Sequence, residues 1–111
     1  MSLSKVFILL DFLEEFAMKE SVFQKELKDK IKNRFPDSII MKQESRQGFP
    51  DLLILNGNKW VALECKCSAK AHHQPNQENY VKKLNDMSFA SFIFPENEEE
   101  VLNEVFKTLE S

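Results

Sequence analysis

The chain has 111 residues, 42% of them hydrophobic and 30% charged, with 18 acidic against 15 basic side chains and a formal charge of −3. That length allows one hydrophobic core and not two. The slight acidity excludes a strongly basic, non-specific nucleic-acid coat, in which phosphate neutralisation supplies most of the affinity; a local basic patch or bound cations remain compatible with it. Ten Phe against one Tyr and one Trp point to a Phe-packed interior.

The first predicted element is a helix from Ser4 to about Met18, with Phe7, Leu10, Leu13 and Phe16, joined by Ile8, Leu9 and Phe12, on a wide apolar face. Core packing is the expected use of that face, and a dimer interface the second. The apolar run Val6 to Leu10 is short and followed by Asp11, Glu14 and Glu15, which fits neither a signal peptide nor a membrane span. Ser21-Val22-Phe23-Gln24 reads as a capping box that starts or resets a second helix running to about Arg34. Phe23, Leu27 and Ile31 form its inner stripe. Lys25, Lys28, Lys30, Lys32 and Arg34 make its other side basic, either solvated or following a phosphate backbone. Phe35-Pro36-Asp37 ends it.

Ser38 to Glu44 is a predicted strand, followed by a polar loop to Gly48. Two apolar runs, Asp51 to Leu55 and Lys59 to Lys66, then flank Asn56-Gly57, a strong hairpin signal. A two-residue turn at Asn56-Gly57 sets Leu55 opposite Asn58 and Asp51 opposite Ala62. Because side chains alternate faces along a strand, Asp51 then shares a face with Trp60, Ala62, Glu64 and Lys66, and Glu64 is its diagonal neighbour. A third helix opens near Gln74-Pro75, with Tyr80, Val81, Leu84 and Met87 on its apolar side. Phe89 to Phe94 reads as a strand covered on both faces. Asn97 and Glu100 begin a closing amphipathic helix with Val101, Leu102, Val105, Phe106 and Leu109 inward. The resulting expectation is an α/β sandwich around a small mixed sheet.

Two carboxylates converging on one sheet face repel each other unless a cation intervenes. Magnesium suits such a pair: it takes oxygen ligands, needs one or two carboxylates, and leaves positions for water and phosphate. Asp51 and Glu64 are therefore the expected Mg²⁺ ligands, and Lys66 the group that orients a water or offsets charge growing on a phosphate. The bland alternative is an exposed edge strand with Glu64 and Lys66 as a weak surface pair. Cys65, Cys67, His72 and His73 also invite a zinc reading, but their spacing fits no usual pattern, and Cys65 and Cys67 face away from Glu64 as small core residues. Cysteines two apart on a strand rarely meet disulfide geometry, so a reducing, cytoplasmic setting is expected.

Pro50-Asp51 followed one hairpin later by Glu64-Cys65-Lys66 resembles the PD-(D/E)xK nuclease signature. The longer Gln47-Gly48-Phe49-Pro50-Asp51, with Gln77 and Tyr80 downstream, is similar to the small phage-type VRR-NUC and Holliday-junction-resolvase-like members. The likeness runs from about Glu20 to about Asn97. It implies a restriction-endonuclease-like αβββαβ core (19–95) with an added N-terminal helix (1–18) and a C-terminal helix (96–111). It also implies Mg²⁺-dependent DNA cleavage, with Mn²⁺ able to substitute, the backbone carbonyl of Cys65 as a further metal ligand, and Glu20 as the acid on the first core helix. If Ser21 caps that helix, Gln24 or Glu26 takes the place of Glu20. Gln77 would support the phosphate or a metal-held water, or be an exposed Gln beside a core Tyr80. Lys42, Arg46, Gln47 and Tyr80 are candidate phosphate contacts, and His72 and His73 are expected at the mouth of the cleft. A homodimer acting on branched DNA is one expectation; a catalytically silent DNA- or protein-binding platform on the same fold is the rival.

Overall fold

The computed structural model describes residues 3–44 and 46–110, with the side chains of 3, 4, 7 and 12–18 outside the description. The elements run α1 (Leu3–Arg34), β1 (Ile39–Lys42), β2 (Leu52–Asn56), β3 (Lys59–Cys65), α2 (Gln77–Met87), β4 (Phe89–Ile93), a 3₁₀ turn (Pro95–Asn97) and α3 (Glu98–Glu110). The four strands form one open mixed sheet in sequence order, antiparallel from β1 to β3 and parallel between β3 and β4. The fold is α/β, with helices flanking this sheet.

The expected break at Ser21 is absent: α1 is one helix of 32 residues. Lys19 to Gln24 holds no Gly or Pro, and a serine with helix formers on both sides cannot stop a helix that continues through it. At about 1.5 Å per residue α1 is roughly 48 Å long, against 28 and 25 Å for the two shorter axes of the molecule. Its first turns therefore run past the sheet. The expected core role of that end is corrected where the side chains are described: Ile8 is 69% exposed, with Val6, Leu9 and Leu10 also in solvent. Phe7, Phe12, Leu13 and Phe16 lie outside the described side chains.

From Phe23 onward α1 behaves as the pattern requires. Phe23, Leu27 and Ile31 are buried against one sheet face with Leu52, Ile54, Val61, Leu63, Cys65 and Ile93. The same core takes Val101, Leu102, Val105 and Leu109 from α3. The basic side of α1 is largely engaged within the chain. Lys30 pairs with Glu98 at 2.9 Å, Arg34 with Glu110, and Lys25 with Asp29, while Lys32 donates to the carbonyls of Pro36 and Ser38. Lys30, Lys32 and Arg34 link α1 to α3 and to the following turn, while Lys25 pairs within the helix, and the basic side stays largely solvent-exposed, as one of the two expectations had it. As exposed pairs they stabilise by at most about 1 kcal/mol each.

The hairpin closes one residue later than expected. Asn56 pairs with Lys59, so Gly57 and Asn58 are the central turn residues. Gly57 has φ +63° and Asn58 does not have a positive φ, the pattern of a type II′ turn with glycine first. Asn56 stays in the strand, where its side-chain amide donates to the Leu109 carbonyl at 3.1 Å and satisfies the last turn of α3. The pairing shifts by two residues, so every side chain keeps its expected face. Continuing the Leu52–Leu63 pair by one step brings Asp51 directly opposite Glu64 rather than diagonal to it. On this second face α2 packs over β3 and β4, above Ala62 and Ala90.

Candidate active site

The carboxyl end of β3, the start of β2 and the middle of α1 meet around a cleft of about 400 Å³. α1 contributes Glu20, Ser21 and Gln24. Lys42 and Glu44 come from the end of β1, Asp51 from the entry to β2, Glu64 and Lys66 from β3 and its continuation, and Gln74 and Gln77 from the start of α2. With α1 uninterrupted, Glu20 and Gln24 stand one turn apart on the same helix face, and both reach the cleft. Glu26 points to solvent, which removes it from the three alternatives. Ser21, Glu44 and Gln74 are members that sequence reading did not single out. For Glu44 a signal existed, two residues beyond Lys42 on an alternating strand.

Asp51 is anchored by the Cys65 amide, which donates to Oδ2 at 3.1 Å. Beside it Glu64 is only 2% exposed. Its Oε2 lies 3.7 Å from the Lys66 ammonium, while Oε1 is buried with no hydrogen-bond partner among the described residues. Burial, reinforced by the Asp51 charge and a hydrogen bond to the Asp51 carboxyl, pushes Glu64 up to about 8 from the usual carboxylate range. The Glu64 carboxylate is thus disfavoured as an anion unless a positive charge joins it. Glu20 is raised as well, first by burial and then by Asp51.

Lys66 is 7% exposed, and its Nζ donates to the His72 carbonyl at 3.1 Å. Gln77, also buried, accepts the Gln74 amide at Oε1, 2.7 Å away. With the oxygen held by the backbone, Gln77 has its NH₂ left as a donor, suited to an anionic oxygen rather than to a cation.

Lys42 reaches the cleft and pairs with Glu44 at 3.3 Å. Arg46, Gln47 and Tyr80 are outside its lining. Tyr80 follows Gln77 by three positions, which leaves the two about 60° apart around the helix. Its ring packs edge-on against Phe49 with centroids 5.5 Å apart, and its hydroxyl is 3.4 Å from Arg46. His72 and His73, expected at the mouth, line a neighbouring depression with Pro75, Asn76, Glu78 and Asn79. Cys65 is fully buried on the core face, its thiol pushed up by burial and then by Asp51.

No group of three or more His, Cys, Asp or Glu side chains among the described residues is placed to hold a metal ion. The pair Asp51 and Glu64 stands below that number but within what Mg²⁺ requires of a protein. The fit is chemical: two carboxyls directly opposite each other, one with a buried oxygen lacking a partner among the described residues, offer oxygen ligands whose mutual repulsion a cation would relieve. Compared with protein-family models, curated proteins and solved structures, the chain matches none.

Proposed function

We propose that this chain is a Mg²⁺-dependent endonuclease of the PD-(D/E)xK type, with a restriction-endonuclease-like core, hydrolysing DNA phosphodiester bonds by in-line attack of water. The observation that carries the reading is the buried, unpartnered oxygen of Glu64 opposite Asp51, with one ammonium beside them and an open cleft above. Both oxygens of a buried structural carboxyl are normally satisfied by hydrogen bonds; here Oε1 has no such partner among the described residues, which favours a ligand at that atom.

A bound Mg²⁺, with Mn²⁺ able to replace it, would supply Lewis acidity to the scissile phosphate and the attacking water. Asp51 and Glu64 would hold it, with the Cys65 carbonyl as a further oxygen. Glu20, on the α1 side, accepts a hydrogen bond from a water entering the cleft and orients it. Lys66 offsets the charge that develops on the phosphate. Gln77 donates to a phosphate oxygen through its free NH₂, and Lys42 attracts the strand at the cleft rim. Arg46, Gln47 and Tyr80 stand further out along the same path. Two copies, meeting through the exposed apolar residues at the start of α1, would present two such sites to branched DNA in a reducing cytoplasm. No helix among the described residues is long and apolar enough to cross a membrane.

The test is cleavage of linear, single-stranded and junction DNA with Mg²⁺ or Mn²⁺. Asp51→Asn, Glu64→Gln and Lys66→Ala are each expected to lower the rate by about 10²-fold or more while the fold survives, as for loss of a transition-state charge partner. A wild-type protein that binds these substrates and cuts none of them would instead be a silent platform.

A further inference from the structure

The segment from Cys67 to Asn76 has no regular secondary structure, yet it is tethered along its length. The Ala69 amide donates to Glu96 at 3.0 Å, and Ser68 closes a turn on Ala71 at 3.2 Å. His73 stacks on Phe92 with ring centroids 4.2 Å apart and planes within 8°, and its Nδ1 is 3.1 Å from Glu78. Phe92 is the β4 partner of Glu64, so the stack sits beside the acid pair. The residue before His73 supplies the carbonyl that accepts from Lys66, and the residue after it supplies the amide that fixes Gln77.

The far end is clamped from the other side. Gly48 has φ +85°, and a Cβ there would lie 2.6 Å from the Pro75 carbonyl oxygen and 2.8 Å from the Asn76 Cβ. The loop between β1 and β2 therefore presses backbone to backbone on the turn that starts α2, a contact only glycine allows. Asn76 itself sits at φ +72°. Irregular connections run over the surface and are ordinarily among the more mobile parts of a fold. Here the segment holds two site side chains by main-chain atoms, which are less free to wander than side chains.

We propose that the linker between β3 and α2 is a clamp that sets Lys66 and Gln77, with His73 and Gly48 as its positioning residues. His73 acts through the His72 carbonyl, and Gly48 through the Pro75-Asn76 turn. Neither touches the reacting atoms. The assignment of what Lys66 and Gln77 do rests on the nuclease reading above; the clamp itself does not.

The experiment compares His73→Ala with His73→Phe, which keeps an aromatic ring on Phe92. Expected is a loss of about 10- to 100-fold in kcat for His73→Ala with KM little changed, the scale for a misplaced catalytic group. His73→Phe recovers to within about threefold of wild type. In a Lys66→Ala background His73→Ala adds nothing further, because it acts through Lys66. Amide exchange over 68–77 speeds up in His73→Ala and not in His73→Phe. Gly48→Ala, if it folds, repeats the pattern against Gln77→Ala. Full activity in His73→Ala, equal damage in both His73 variants, or losses that multiply with Lys66→Ala overturn the proposal. A wild type that cleaves nothing removes the nuclease reading alone. The exchange data then decide the clamp, and unchanged exchange in His73→Ala ends it.

Discussion

Burial beside Asp51 raises Glu64 above the range of a surface glutamate, and the cost of that arrangement depends on pH. Its folded value lies near 8 against an ordinary 4.5. Below the lower figure the carboxyl is neutral in both folded and unfolded chains, and burying it carries no ionic penalty. As pH climbs towards the upper figure the unfolded chain gives up its proton while the folded one retains it, so the unfolded state gains and stability falls. Glu20, raised in the same direction, adds to the fall. Metal-free protein in a chelator should therefore melt at progressively lower temperature from about pH 4.5 to about pH 8, and Glu64→Gln should flatten that slope; scanning fluorimetry across the range checks both. Mg²⁺ should restore the lost melting temperature mainly at the alkaline end, where it no longer competes with the proton. Equal stabilisation by Mg²⁺ in wild type and in Glu64→Gln would remove Glu64 from the metal site.

Among the elements, α1 combines two different helices in one rod. Its second half buries Phe23, Leu27 and Ile31, and Leu27→Ala is expected to cost about 2–5 kcal/mol through the cavity it leaves. Its first half carries apolar side chains in solvent, so Ile8→Glu and Leu9→Lys should change the unfolding free energy by no more than about 0.5 kcal/mol. Urea denaturation of the three variants tests that contrast, and sedimentation of the two surface variants reads whether those turns join copies. The hairpin offers a smaller test. A Cβ on Gly57 would meet nothing within 4 Å, so Gly57→Ala should cost about 1 kcal/mol, the conformational penalty for a positive φ alone. The stripe Phe23-Leu27-Ile31 was legible because periodicity reports burial. The uninterrupted length of α1 was not, because a capping box specifies a start only where the chain before it is not helical.

At the scale of the whole molecule, the net charge of −3 opposes long-range attraction to DNA. Binding without metal should therefore be weak, and the slope of log K against log salt should be shallow, about −3 or flatter for DNA, as for a protein neutralising few phosphates. Fluorescence anisotropy over a salt series measures it; a slope near −6 would mean that a local basic patch outweighs the net charge. The Cα radius of gyration of 15.5 Å exceeds the roughly 13 Å of a compact chain of this length. The excess follows from the overhang of α1.

By itself the sequence determined which residues alternate, which face of the hairpin gathers Asp51, Glu64 and Lys66, and the order of elements from β1 onward, because these depend on local periodicity and turn chemistry. The fusion of the two expected first helices into one did not show in it. Tertiary structure alone decided the one-residue displacement of the turn, since the bond from Asn56 to the end of α3 is invisible in local pattern. It also decided that Glu20 and Gln24 face the acids while Glu26 does not, that Tyr80 braces a loop, and that an irregular linker holds Lys66 and Gln77. Each of these is a contact between segments far apart in the chain, and local periodicity carries no information about such contacts.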